Sequence, residues 1–280
     1  DWGERYIQTF DWSSNKASSN LSKHDPQNSA TIYLRERGAD RRHILMQEKS
    51  AIKTEPYYQL NLSIGCLVRG LTILVVGLLA IHCSLQIWHY EWSEVPWPLR
   101  QIFDVDEEDS IPTWYSTSAL LLTSVLLFLI SQRKRVDRDP WVRYWYGLSL
   151  AFAALSLDEI AGFHETLNIM VDYSWAIPGG IAAGIFGLLY LRFLWHLPAQ
   201  TRWLFVVSGA VFIGGAVGVE MSTDWYADED LLNTLAYNLW TAVEEGMEMG
   251  GIVLFIHALL GYMGREQEAR VDVIVEGQSG

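Results

Sequence analysis

Apolar residues in this chain come in long runs, broken by short polar segments. The runs are Leu60 to Trp88, Trp114 to Ser131, Trp141 to about Val171, Trp175 to Trp195, Trp203 to Met221 and Tyr237 to Met263. A bilayer core takes ~20 such residues as a helix, and each run reaches or approaches that length. They predict an all-α fold: a polytopic membrane bundle of six transmembrane helices over residues 57–264. Residues 1–56 are polar and lack apolar periodicity, which predicts a disordered tail. Residues 265–280 read as a polar C-terminal tail. Met46 opens an ordinary short leader, so residues 1–45 read as an upstream extension of the reading frame.

Breaks between the runs differ in charge. Lys49 and Lys53, then Arg133, Lys134, Arg135 and Arg138, then Arg202, then Arg265 and Arg270 fall on one side of the membrane. The other loops are almost free of Lys and Arg, and hold the acidic runs Asp104 to Asp109 and Asp224 to Asp230. Lys and Arg stay on the cytoplasmic side, so both termini are expected in the cytoplasm of a cell whose inner membrane holds the protein. Trp88, Trp114, Tyr144, Trp145, Trp195, Trp203 and Trp240 sit at predicted span ends, the depth at which aromatic rings anchor to headgroups. Small residues recur four apart at Gly180 and Gly184, Gly214 and Gly218, and Gly246 and Gly250, a spacing that predicts close helix packing.

Composition adds two exclusions. The formal net charge of −13 argues against a nucleic-acid partner; the expected partner is the lipid bilayer. The two cysteines, Cys66 and Cys83, would be about 25 Å apart on one helix, too far to bridge, and no CxxC pair offers a thiolate metal site.

The spans carry acids where lipid-facing residues belong. Asp158, Glu159, His164 and Glu165 lie in the third span, Glu220 ends the fifth, and Glu244, Glu245 and Glu248 lie in the sixth. An intramembrane carboxylate costs ~2.5–3.5 kcal/mol on insertion scales, so it marks a functional site by default. The topology sets all of these at similar depth in the outer half, with His82 and His89 at the outer end of the first span. No Lys or Arg is placed there to neutralise them. Such carboxylates cannot all remain ionised alone, so they are either protonated in part or compensated by a bound cation. Carboxylate with imidazole suits a transition metal ion, Fe or Zn in preference to Ca²⁺ or Mg²⁺. Asp158 and Glu165 share a helical face at a spacing of seven, and Glu244 and Glu248 at four. These four, with His164 and Glu220, form the expected ligand set; Glu159, Glu245, His82 and His89 are expected around it. Met247 and Met249 read as packing residues.

The segments Leu155-Ser-Leu-Asp-Glu-Ile-Ala-Gly-Phe-His-Glu165 and Glu244-Glu-Gly-Met-Glu-Met-Gly-Gly251 resemble a family of uncharacterised bacterial multi-pass inner-membrane proteins. The resemblance spans roughly residues 64–263 and implies location, not activity. Other membrane sites fit less well. Spans three to six have no Lys for a retinal Schiff base, and no late His-x-x-x-His pair of the ceramidase-like zinc hydrolases occurs. Three functions stay open: a membrane metalloprotein, oxidoreductase or hydrolase, using a metal-bound water; a transporter using the acids as a proton or cation relay; and a structural subunit. Substrate and oligomeric state are left undetermined.

Overall fold

The computed structural model describes residues 63–163 and 174–266. The predicted N-terminal tail, residues 1–56, all but the first two residues of the predicted C-terminal tail, residues 265–280, and the pair His164 and Glu165 lie outside the described residues. Those described are helical, with no strand among them.

Helix α1 (Ile64–Glu91) opens at Ser63, whose hydroxyl accepts the Cys66 N–H and satisfies one orphan donor of the first turn. A short outer helix, α2 (Trp97–Ile102), starts from Pro96 with Pro98 in its first turn, where a missing N–H costs nothing. Helix α3 (Ile111–Val136) repeats the pattern, with Ser110 as cap and Pro112 next to it. The next helices are α4 (Val142–Ala161), α5 (Ala176–His196) and α6 (Ala199–Ile213). The last continues through a π-helical segment, Gly214–Val219, into the short helices α7 (Glu220–Thr223) and α8 (Trp225–Asp228). Helix α9 (Leu235–Glu266) completes the bundle and packs on α1, α3, α6 and the π-helical segment.

Among the described residues, five helices are long and apolar enough to cross a membrane: α1, α3, α5, the run Ala199–Ala227 and α9 to Arg265. Six were expected. The sixth candidate, α4, has 20 residues, and Asp158 and Glu159 sit among them. The acids that make α4 interesting also keep it out of the apolar set. It ends sooner than the expected Val171, too. Gly162 takes φ +57°, a left-handed cap in which its N–H returns to the Asp158 carbonyl. Glu165, expected on one face with Asp158 from the seven-residue spacing, lies outside the described residues. A side chain at 162 would strain this backbone and strike the Glu108 carboxylate.

The bundle has two unlike halves. Toward the basic end the core is dry and aromatic. Trp145 of α4 packs on Phe193 of α5 (5.0 Å) and Tyr262 of α9 (4.9 Å), and Phe255 of α9 stacks between Phe152 (4.9 Å) and Phe205 (4.4 Å). Ile256, Ala258 and Leu259 are fully buried among them. Ring pairs at these distances add to the burial of their area.

Glycine sets the approach of α6 to α9, one residue away from the expected positions. A Cβ on Gly251 would lie 2.9 Å from the Phe212 nitrogen and 3.0 Å from the Ser208 carbonyl oxygen; on Gly215 it would lie 2.7 Å from the Glu244 carbonyl oxygen. Gly184, Gly218 and Gly250 face open space, whereas Gly180, Gly214 and Gly246 touch side chains only.

Candidate functional site

The acidic half of the bundle encloses a cavity of about 420 Å³. Four segments supply its acidic groups. Helix α4 contributes Asp158 and Glu159 near its end; the π-helical segment and the short helical turns after it contribute Ala216, Glu220, Thr223 and Asp224. Helix α9 contributes Tyr237, Thr241, Glu244, Glu245 and Glu248, and the outer loop after α2 contributes Asp106. Positions 237, 241, 244, 245 and 248 form one stripe of an α-helix, and so do 216, 220, 223, 224 and 227. Two stripes thus face one space, and Gly215 lets them close on it. The π-helical turn is built from small residues, Gly-Gly-Ala-Val-Gly-Val, and its wider turn sets the phase that brings Glu220 inward.

Among the described residues, eight carboxylates line the cavity, and no Lys, Arg or His does. Glu245 lies within electrostatic reach of Glu248, Glu159 and Glu244, and Glu248 of Glu159, Glu244, Glu220 and Asp158. All three glutamates of α9 are half-buried, open to the cavity. At the rim the Tyr237 hydroxyl donates to Asp106 Oδ2 (3.4 Å).

Asp158, Glu220, Glu244 and Glu248, expected as ligands, all line this cavity. Glu159 and Glu245, placed around the site by helical phase, are in the wall itself, because a cavity this wide accepts more than one helical phase. His164 and Glu165 lie outside the described residues. Among the described residues, no three His, Cys, Asp or Glu side chains converge as a metal-ligand group. Asp106 and Asp224 were not anticipated. Both belong to acidic loops already assigned to the same side of the membrane, and that shared side was the available signal.

The two outer histidines are not in the wall. His82 is fully buried. Its Nε2 lies 3.2 Å from the Asn238 carbonyl oxygen, which can only accept, so Nε2 carries the hydrogen. Its Nδ1 faces the Val105 N–H (3.3 Å) and Asp104 Oδ1 (3.4 Å), and Asp104 also accepts from Gln86 Nε2 (3.0 Å). Both ring nitrogens are engaged, which leaves none for a metal. What the ring does is pin the outer loop and the start of α9, the residues beside Asp106 and Tyr237. His82→Ala is expected to cost roughly 2–3 kcal/mol, because the Val105 N–H and Asn238 carbonyl lose a buried partner. Thermal unfolding of the purified variant checks this; an unchanged midpoint would remove the ring's structural role. His89 accepts the Val95 N–H at Nδ1 (3.2 Å), closing the turn after α1. Met249 is fully buried against Val75 and Val253, as a packing residue.

A family model described as "Domain of unknown function (DUF8692)" matches residues 68–262, well over half of the chain and every wall of the cavity. The chain belongs to the DUF8692 family. No curated protein and no solved structure matches it. As a DUF8692 member it is a helical protein whose apolar helices are compatible with several membrane spans.

Proposed function

We propose that this DUF8692 protein is a six-span inner-membrane protein, with α4 as the additional span and both termini cytoplasmic, that binds a cation in the acidic cavity. One observation carries the reading: among the described residues, eight carboxylates from four segments line one space without a basic side chain. Carboxylates so arranged repel one another, and an incoming cation is attracted by all of them. Glu244, Glu245 and Glu248 of α9, with Glu159 of α4, form the deepest part of that field, and Asp106 and Asp224 extend it to the outer loops.

A transition-metal centre, with iron or zinc, is the narrower form of this reading. It calls for His164 or Glu165 to complete a ligand set that the described carboxylates do not close alone. A relay across the membrane has less support, since the aromatic core around Phe152, Phe205 and Phe255 fills the other half of the bundle.

The test is calorimetry and elemental analysis on purified full-length protein, stripped of metal and titrated with Zn²⁺, Fe²⁺, Mn²⁺ and Ca²⁺. Saturable binding of at least one ion is expected, with Glu244→Gln/Glu245→Gln weakening it at least about tenfold, as the loss of two charge-assisted contacts implies. Binding to none of the four, or undiminished binding by the double variant, would overturn the reading.

A further inference from the structure

The end of the bundle opposite the cavity carries an arrangement that cation binding does not use. Three helix ends meet there: the start of α4, the end of α5 and the start of α6. Trp141 at the α4 start stacks on His196 at the α5 end, with ring centres 4.9 Å apart and planes within 22°. Two guanidinium groups lie over rings of this cluster, Arg192 over Trp141 (5.9 Å) and Arg143 over Tyr144 (5.2 Å), and at the neighbouring α5–α6 turn Arg202 lies over Trp195 (4.7 Å) and donates to its carbonyl oxygen (3.3 Å). Trp141 and Tyr144 are themselves in contact at 5.2 Å, so Arg192 and Arg143 belong to one continuous aromatic base.

Acidic counterparts to these arginines are missing among the described residues. The ion pairs at this end join Arg133 to Asp137 and Lys134 to Asp139, and among the described residues no salt bridge reaches Arg143, Arg192 or Arg202. No Asp or Glu occurs between Trp175 and Val219, the stretch that supplies two of the three. A guanidinium held over a ring is partly pre-ordered, and the donors it does not spend inside the protein can meet a planar or tetrahedral anion. The neighbouring surface is strongly apolar: Leu188, Leu189, Trp195 and Trp203 are each more than 60% exposed. A ligand that satisfies both features has an anionic head and a hydrocarbon body.

We propose that this cluster is a binding site for the phosphate headgroup of an anionic phospholipid, with Arg143, Arg192 and Arg202 holding the phosphate and the outer face of α5 and α6 holding the acyl chains. The site is independent of the cavity. Its role is to fix the α4–α5–α6 end in the headgroup layer through a specific lipid in place of general charge attraction.

The experiment uses the purified full-length protein in detergent. Phosphatidylglycerol and phosphatidylcholine with the same acyl chains are offered, and the retained lipid is counted by native mass spectrometry. Wild type is expected to retain phosphatidylglycerol at least about tenfold over phosphatidylcholine, given roughly 1 kcal/mol per basic residue near an anionic headgroup. Arg143→Gln/Arg192→Gln/Arg202→Gln is expected to lose that preference, while Arg133→Gln/Arg135→Gln, equal in kind but outside the cluster, keeps it. No preference in wild type, or equal loss in both variants, would overturn the proposal. Displacement of the lipid by millimolar inorganic phosphate would also overturn it, in favour of a free-anion site. Should the triple variant not fold, brominated lipids decide on wild type. Stronger tryptophan quenching by the glycerol lipid than by the choline lipid upholds the site, and equal quenching rejects it.

Discussion

Replacing Glu248 by Gln is expected to stabilise the cation-free protein and to remove about half of the stabilisation that a bound cation gives. Glu248 lies thirteen residues, or ~20 Å, into α9, within reach of four other carboxylates. In the folded protein its carboxyl either keeps its charge against theirs or takes up a proton on folding. Both cost free energy that a neutral amide of the same shape does not incur, on the order of 1–2 kcal/mol for partial relief of such a cluster. A cation present at a hundred times its dissociation constant adds ~2.7 kcal/mol to wild type, whereas tenfold weaker binding leaves ~1.4 kcal/mol. Thermal unfolding with and without the ion that calorimetry identifies reads both effects at once. A variant less stable than wild type without cation, with an undiminished response to it, would place Glu248 outside the site and make it an ordinary packed residue.

The second large effect is expected at Gly251. A Cβ there meets the Phe212 nitrogen at 2.9 Å and the Ser208 carbonyl oxygen at 3.0 Å, and backbone cannot swing away as a side chain can. Gly251→Val forces α6 and α9 apart, at a cost of about 2–4 kcal/mol, and widens the cavity that the two stripes enclose. Its neighbour is the control. Gly250 has no atom near its would-be Cβ, so Gly250→Ala is expected to be neutral or stabilising by ~0.5–1 kcal/mol through helix propensity. Yield of monodisperse protein and unfolding midpoint distinguish them. Matching behaviour of the two variants would mean that the helices do not touch here.

Much of the architecture was legible because the membrane imposes a coarse rule. Runs of apolar residues must be helices, since a backbone in lipid has to satisfy its own hydrogen bonds. The starts and ends of α3, α5 and α9 agree with it within a few residues. The acids were legible for the complementary reason: a carboxylate in an apolar run is too costly to be incidental. Phase was not. The apolar pattern carries no sign of the left-handed Gly162 that ends α4 or of the π-helical turn before Glu220. It also fails at the glycines, where two adjacent candidates, Gly250 and Gly251, are distinguishable only once the partner helix is in place.

The chain's own residues determined that the described part is helical, that its apolar segments suit lipid, and that Asp158, Glu220, Glu244 and Glu248 stand out as acids in apolar segments, because all three depend on solvation energies that each segment carries with it. Tertiary structure decided which acids share a cavity, since that depends on how far helices rotate and how closely glycine lets them approach. It brought Asp106 and Asp224 in from the loops, moved Glu159 and Glu245 into the wall, and turned His82 into a fastening for the outer loop. These outcomes depend on contacts between distant segments, and local sequence carries no term for them.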